Sequence, residues 1–184
     1  MEPQHKDFRV LLSSDAIQQR VKQLAEQIER DIPTDTEAHI ICTLKGGLVF
    51  LSDLIRAMHK SVTLDFLIAT SYGDDTKTSG DVQISLEPQD DITDRYVILV
   101  EDIVDTGLTL SRLTNLLSKK RPQILRIACL LNKPTRRRVP IEIDYTGFTI
   151  NDEFVFGYGL DLNERYRHLP YLAVLKRSCR GSQQ

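Results

Sequence analysis

The chain has 184 residues, enough for one domain with a substantial core, and its 24 Lys plus Arg against 26 Asp plus Glu leave a formal charge of −2. That near-balance argues against a protein whose main work is coating nucleic acid or an anionic membrane. No apolar run approaches the ~20 residues of a membrane span, and the leading MEPQHKDFRV lacks the apolar stretch of a signal peptide. The scattered Cys42, Cys129 and Cys179 suit buried or near-terminal thiols in a reducing cytoplasm rather than a disulfide framework.

Ser13, Ser14 and Asp15 are cap candidates for a first helix over 16–31, in which Ile17, Val21, Leu24 and Ile28 recur at helical spacing. HIICTL, 39–44, is a β-branched apolar run that predicts a buried strand; KGG and a helix-like stretch from Leu48 to His59 follow. TLDFLIATSY (63–72) and DVQISLE (81–87) predict two further strands, the second alternating as a half-buried strand does. Between them SYGDDTKTSGD, 71–81, is nearly free of apolar residues, and both a hairpin tip and a mobile lid fit it. YVILV and ILRIACLL (124–131) flank a helix starting near Leu108. The alternation of strand and helix implies an α/β fold with a mostly parallel central sheet flanked by helices. Beyond Pro134, IEIDYTGFTI, EFVFGYGLD and YLAVL are short strands without long helices, expected to form a small appendage on the core. The tail KRSCRGSQQ is expected to be frayed.

VILVEDIVDTGLTL, 97–110, carries the chemistry. A strand, a tight turn and a helix start form an anion site, since unpaired amides and the helix dipole favour phosphate. Asp105, Thr106, Gly107, Leu108 and Thr109 form that turn, and the two threonines add hydroxyl donors. It lacks the lysine and glycines of a P-loop, which disfavours a triphosphate hydrolase and fits one terminal monophosphate. Glu101, Asp102 and Asp105 crowd the same turn, and carboxylates accept from vicinal hydroxyls or hold Mg²⁺. A phosphate, a ribose diol and a Mg²⁺-bound diphosphate in one ligand satisfy every group, and phosphoribosyl diphosphate is such a ligand. Acids that merely cap the next helix stay open as the alternative.

This segment resembles the phosphoribosyl-diphosphate signature of the type I phosphoribosyltransferases. LKGG (44–47), SYGDD (71–75), LLNKPTRR (130–137) and NDEFVFGYGLDLNERYRHLPY (151–171) are similar in order and spacing to hypoxanthine-guanine phosphoribosyltransferases. The resemblance implies a single domain with a core over about 36–135, a hood from the N-terminal segment and about 140–175, and a closing loop over 71–81. It implies Mg²⁺-dependent purine salvage in the cytoplasm, with hypoxanthine or guanine converted to IMP or GMP, by a homodimer or homotetramer.

Carried over residue by residue, Asp105 manages the proton at purine N7, and Glu101 and Asp102 hold the ribose hydroxyls and their metal. Asp105, Thr106, Gly107, Leu108 and Thr109 bind the 5′-phosphate, with Leu108 standing where some relatives have lysine, and Ile103 and Val104 belong with them to the phosphoribosyl-diphosphate site. Lys133 meets the exocyclic O6, which selects six-oxo purines over adenine because an amino group cannot accept. Phe154 stacks on the base, Val155 reads its edge through backbone atoms, and Asp161 holds a second Mg²⁺ through water. Lys45, Gly46 and Arg167 bind diphosphate, the first two in a loop where the family carries a cis peptide, and Ser71 and Tyr72 join on closure.

Two rival readings stand beside this one. Some proteins of the same fold bind RNA, and SKKRP and NKPTRRR are basic clusters, although their few aromatics suit solvated loop edges. A sister enzyme for xanthine or guanine alone differs only in pocket details.

Overall fold

The computed structural model describes residues 7–71 and 82–176. Its chain order is β1 (Phe8–Leu12), α1 (Ser14–Asp31), β2 (Ala38–Leu44), α2 (Leu48–Ala57), β3 (Val62–Ser71), β4 (Val82–Leu86), β5 (Tyr96–Val104), α3 (Leu108–Lys119), β6 (Ile124–Asn132), β7 (Tyr145–Thr149), β8 (Val155–Phe156) and β9 (Leu172–Leu175). The expected closing loop lies, from residue 72 to 81, outside the described residues, as does the tail from 177.

Local chemistry accounts for the helix limits. Ser13 caps α1, its hydroxyl accepting from the Ala16 N–H at 3.3 Å, so the helix begins at Ser14, before the expected start. Asp15 in its first turn and Arg30 in its last complement the dipole, and Pro33 keeps Ile32 extended and ends it. Helix α2 stops at Ala57 rather than His59. The carboxylate of Glu29, on α1, accepts from the His59 and Lys60 N–H groups at 2.5 and 2.6 Å and takes both residues out of the helix.

Six strands form the main sheet in the order β4-β3-β2-β5-β6-β7. All pairs are parallel except β3 with β4 at one edge. Every side chain of β2 from Ala38 to Thr43 is buried, as a strand covered on both faces requires. On one face Ile40, Cys42, Ile98 and Val100 pack with Ile17, Leu24, Phe50 and Leu54 of α1 and α2. On the other, Ile41, Val97 and Leu99 pack with Leu110, Leu113 and Leu117 of α3. From β2 the chain winds one way to β3, and from β5 the other way to β6 and β7. The crevice at the carboxyl ends of β2 and β5 is therefore the topological switch point, where open α/β sheets place ligands.

A second, antiparallel sheet, β1-β9-β8, joins the two ends of the described chain, with Phe8 opposite Leu175. One of its faces carries Phe8 and Phe156, in edge-to-face contact at 5.5 Å. Its other face sends Val155, Leu172 and Val174 into the main core. Tyr158 fixes the sheet to α2, its hydroxyl donating to Asp53 Oδ2 at 2.7 Å.

The stretch from about 140 does not all belong to this second sheet. Strand β7 is the sixth strand of the main sheet, parallel to β6. A 3-10 turn at Pro134–Arg136 and extended chain replace the usual crossover helix, which removes the periodicity that marks a βαβ unit. Arg20 on α1 anchors β7, donating to the Gly147 and Thr146 carbonyls at 2.9 and 2.7 Å.

Candidate active site

A cavity of about 700 Å³ opens at the switch point, between the carboxyl ends of the main sheet and the second sheet. Asp102, Ile103 and Asp105 reach it from β5 and the following turn, Lys133 and Arg136 from the end of β6, and Asp152, Phe154, Val155, Leu160 and Asp161 from the second sheet and its loops. Residues far apart in sequence thus meet because three chain segments end at one place.

The loop after β2 forms one wall. The Leu44–Lys45 peptide is cis. Gly46 lies against the acid of β5: a Cβ there would sit 1.6 Å from Asp102 Oδ2, and a Cβ on Gly159 would sit 2.2 Å from the Gly46 carbonyl oxygen. Any side chain at 46 displaces the carboxylate. The Lys45 ammonium ion-pairs with Glu164 at 2.9 Å, and Arg167 pairs with Asp161 at 2.8 Å while donating to the Gly159 carbonyl. The expected diphosphate cations are thus turned toward acids of the hood side.

Glu101 and Asp102 lie next to each other in β5 but differ in surroundings. Glu101 is buried behind the cavity wall, 8% exposed, and its Oε2 has no hydrogen-bond partner among the described residues. Burial first, and then the neighbouring Asp102 charge, push its carboxyl well above the usual range. Burial likewise raises Asp102, against the Ile103 N–H that donates to it and the field of Arg167. Two adjacent carboxyls with raised affinity for protons are a site built for other positive charge or hydroxyl donors.

Asp105 follows. Its Oδ2 pairs with Arg136 at 3.2 Å, and its Oδ1 is buried without a partner. Arg136 also reaches Asp152, at 3.7 Å. Thr106 accepts at its carbonyl from the Arg138 and Val139 N–H groups, and its hydroxyl accepts from Leu108 N–H at 3.4 Å. Gly107 takes φ +83°, a left-handed conformation that costs other residues energy, and starts α3 with no side-chain cap and no acid in the first turn. The amides of that first turn beyond Leu108, whose N–H Thr106 takes, can therefore turn to an anion. Thr109 sits in this first turn; Leu108 lines a separate groove with Gln83 and Ile84.

Lys133 is 5% exposed. Its N–H donates to the Val104 carbonyl, and its ammonium to the Glu153 carbonyl at 2.6 Å, which spans from the main sheet to the hood segment. Burial lowers its pKa, partly offset by Asp105. Phe154 is half exposed on the cavity wall, and Val155 is buried in β8. Ser71 ends β3, and Tyr72 lies outside the described residues.

Sequence reasoning missed Arg136, Asp152 and Leu160. NKPTRRR reads as a solvated basic loop, yet Arg136 faces Asp105, and Arg137 packs under Gly107 and donates to Asn132 Oδ1. No spacing rule announces this, because the 3-10 turn that aims Arg136 is too short to leave a periodic trace.

A family model for the phosphoribosyl transferase domain matches residues 10–163. The hypoxanthine-guanine phosphoribosyltransferase of Bacillus subtilis (strain 168) is 41% identical over 172 residues, 94% of this chain and 95% of that protein. The chain belongs to the phosphoribosyltransferase family, in its hypoxanthine-guanine branch. A solved hypoxanthine phosphoribosyltransferase from Staphylococcus aureus superposes with a TM-score of 0.89 at 40% identity, covering 95% of each chain. In a bifunctional TilS/HprT protein of Listeria monocytogenes serotype 4b, 38% identical, the chain spans 27% of the length. The fold is the type I phosphoribosyltransferase α/β fold expected from the sequence. Among the described residues no helix is long and apolar enough to cross a membrane.

Proposed function

We propose that this enzyme transfers the phosphoribosyl group of phosphoribosyl diphosphate to hypoxanthine or guanine, with Mg²⁺, releasing diphosphate. The observation that carries the reading is the shared cavity in which the buried Lys133 ammonium and the Asp105 carboxylate face the same space beneath Phe154. A cation for a carbonyl oxygen and an acid for a ring nitrogen are what a six-oxo purine presents along one edge. In the reaction the purine N9 forms its bond to C1 of the ribose as the bond to the diphosphate oxygen breaks. Positive charge grows on the sugar, and Asp105 holds the purine proton at N7. Lys133 holds O6, Phe154 stacks on the ring, and Val155 meets its edge. The uncapped start of α3, with Thr106 and Thr109, takes the 5′-phosphate.

Mg²⁺ suits the acids on their chemistry: Glu101, Asp102 and Asp161 offer only oxygen donors, and Glu101 Oε2 is buried with no partner. Glu101 and Asp102 would hold one ion and Asp161 a second through water, and the ions would supply charge neutralisation for the diphosphate. Lys45, Gly46 and Arg167 would take the diphosphate once it displaces Glu164 and Asp161. Ser71 and Tyr72 belong to the closing loop in this reading. The main sheet is the core and β1-β9-β8 the hood of one catalytic unit, working in the cytoplasm as a homodimer or homotetramer.

The test is a steady-state assay with phosphoribosyl diphosphate and Mg²⁺, offering hypoxanthine, guanine, xanthine, adenine and uracil in parallel. Turnover of hypoxanthine or guanine but not adenine is expected; turnover confined to uracil, or none, discards the purine pocket. Asp105→Asn is expected to lower kcat by about 10²–10⁴-fold with phosphoribosyl diphosphate affinity little changed. Equal losses in both would remove its acid–base role.

A further inference from the structure

Buried polar atoms without partners mark places where something is meant to bind. Among the described residues these are His39 Nε2, Thr43 Oγ1, Glu101 Oε2, Asp105 Oδ1 and Arg137 Nη1. Four of them belong to the switch-point end or to the Gly107 turn beside it. His39 does not. It lies near the amino end of β2, opposite Thr63 of β3, at the far end of the sheet from the cavity. Its ring is fully buried, and Nδ1 is 2.8 Å from Thr63 Oγ1.

Two carboxylates converge on this imidazole. Asp65, two residues beyond Thr63 on the same face of β3, and Asp90, in the connection from β4 to β5, each bring an oxygen within 4.8 Å of a His39 ring nitrogen and of each other. Asp65 is half buried and organises the connection: its Oδ2 accepts from the Gln89 and Asp90 N–H groups at 2.7 and 3.0 Å. Asp90 is exposed, on the connection rather than in the packed sheet. The cation facing the cluster, Arg95, donates to Thr63 Oγ1 and leans toward Glu37 at 3.9 Å.

We propose that His39, Asp65 and Asp90 form a binding site for a divalent transition-metal ion such as Zn²⁺, separate from the catalytic cavity. One imidazole nitrogen and two carboxylate oxygens are a borderline ligand set, which suits Zn²⁺ or Co²⁺ rather than the Mg²⁺ of an all-oxygen site. Nε2 is the ligand atom, with Nδ1–H donated to Thr63, the outer contact that orients most metal-bound histidines. Thr63 Oγ1 has the two lone pairs needed to accept from both Arg95 and His39. Ligands about 2.0–2.2 Å from a tetrahedral ion stand about 3.5 Å apart, so Asp90 swings inward and water takes the fourth position. The ion would tie the β4–β5 connection to the sheet.

The experiment titrates metal-stripped protein with Co²⁺ in a large excess of Mg²⁺, which occupies the acidic oxygens of the catalytic end. Visible absorption reports four-coordinate cobalt, and thermal melting follows Zn²⁺ addition. One equivalent of Co²⁺, displaced by Zn²⁺ and accompanied by a rise in Tm, is expected. Both signals should weaken about 10–100-fold or more in His39→Gln and in Asp90→Ala, and persist in Glu101→Gln. Asp90→Ala removes only an exposed side chain, so the test stands if His39→Gln does not fold. No saturable cobalt signal, a signal that survives Asp90→Ala, or one lost in Glu101→Gln would overturn the site.

Discussion

Glu101 shows how a single residue is held at a cost to the fold. Its carboxyl is buried beside Asp102, and both causes favour the protonated form. The unfolded chain gives up this proton near pH 4.3, whereas burial makes the folded chain keep it to a distinctly higher pH. Between these values the native state binds more protons than the unfolded state, so stability falls as pH rises and the loss is complete above the folded value. Glu101→Gln removes the titration. In the absence of ligand and metal its Tm at pH 8 should exceed that of the parent by about 2–8 °C, corresponding to about 1–2 kcal/mol, and the gain should vanish near pH 4. The same variant should bind phosphoribosyl diphosphate more weakly. A Tm equal to the parent's at pH 8 would mean that the carboxyl is not strained by its surroundings. The type and order of these residues are plain in the sequence, because acids at a strand end beside Thr-Gly have few other uses. Their burial is not, since it depends on β2 and β6 covering β5 on both sides.

At the scale of elements, the segment after β6 does two tasks. Its backbone ties down the phosphate turn through Lys133 to Val104 and through Arg138 and Val139 to Thr106. Its side chains bring Lys133 to the cavity proposed to hold the base and set Arg136 against Asp105. Lys133→Ala should therefore leave the KM for phosphoribosyl diphosphate nearly unchanged and lower kcat/KM for hypoxanthine by about 10²-fold. That is the order lost when a charged partner of a buried hydrogen bond is deleted, and discrimination against adenine should erode with it. Steady-state kinetics with both bases checks it, and an unchanged base profile would take Lys133 out of the pocket. The elements carrying this segment were unequally legible. Strands β2, β5 and β6 are long apolar runs with helices between them, and periodicity alone places them. Strand β7 has no helix before it and only five residues, so its membership in the main sheet rests on Arg20 and on pairing with β6. Arg136 was unreadable for the same reason, being aimed by a three-residue turn.

Across the whole molecule, the switch between β2 and β5 explains why the turn, the acid pair and the Lys133 wall, proposed above to take phosphate, metal and base, share one crevice. The main sheet delivers the first two, and the hood sheet closes the third through Phe154, Val155 and Asp161. Binding at such a crevice must then be coupled to protonation of the acids beneath it. Burial pushes the carboxyls of both Glu101 and Asp102 above the usual carboxylate range. In the proposed reading the ionised forms hold a ribose diol and a metal ion, so binding expels protons and affinity rises with pH while the pair titrates, by up to tenfold per pH unit for each proton released. The 5′-phosphate also titrates, near pH 6, and is fully ionised above pH ~7. Calorimetry of Mg²⁺–phosphoribosyl diphosphate binding at pH ~7–8, repeated in buffers of different ionisation enthalpy, therefore isolates the acid pair. Net proton release on binding is expected, falling as pH rises and the acid pair becomes ionised in the free enzyme. Binding without proton release would mean that the acids are already charged before the ligand arrives, and that the crevice is wetter than its packing implies.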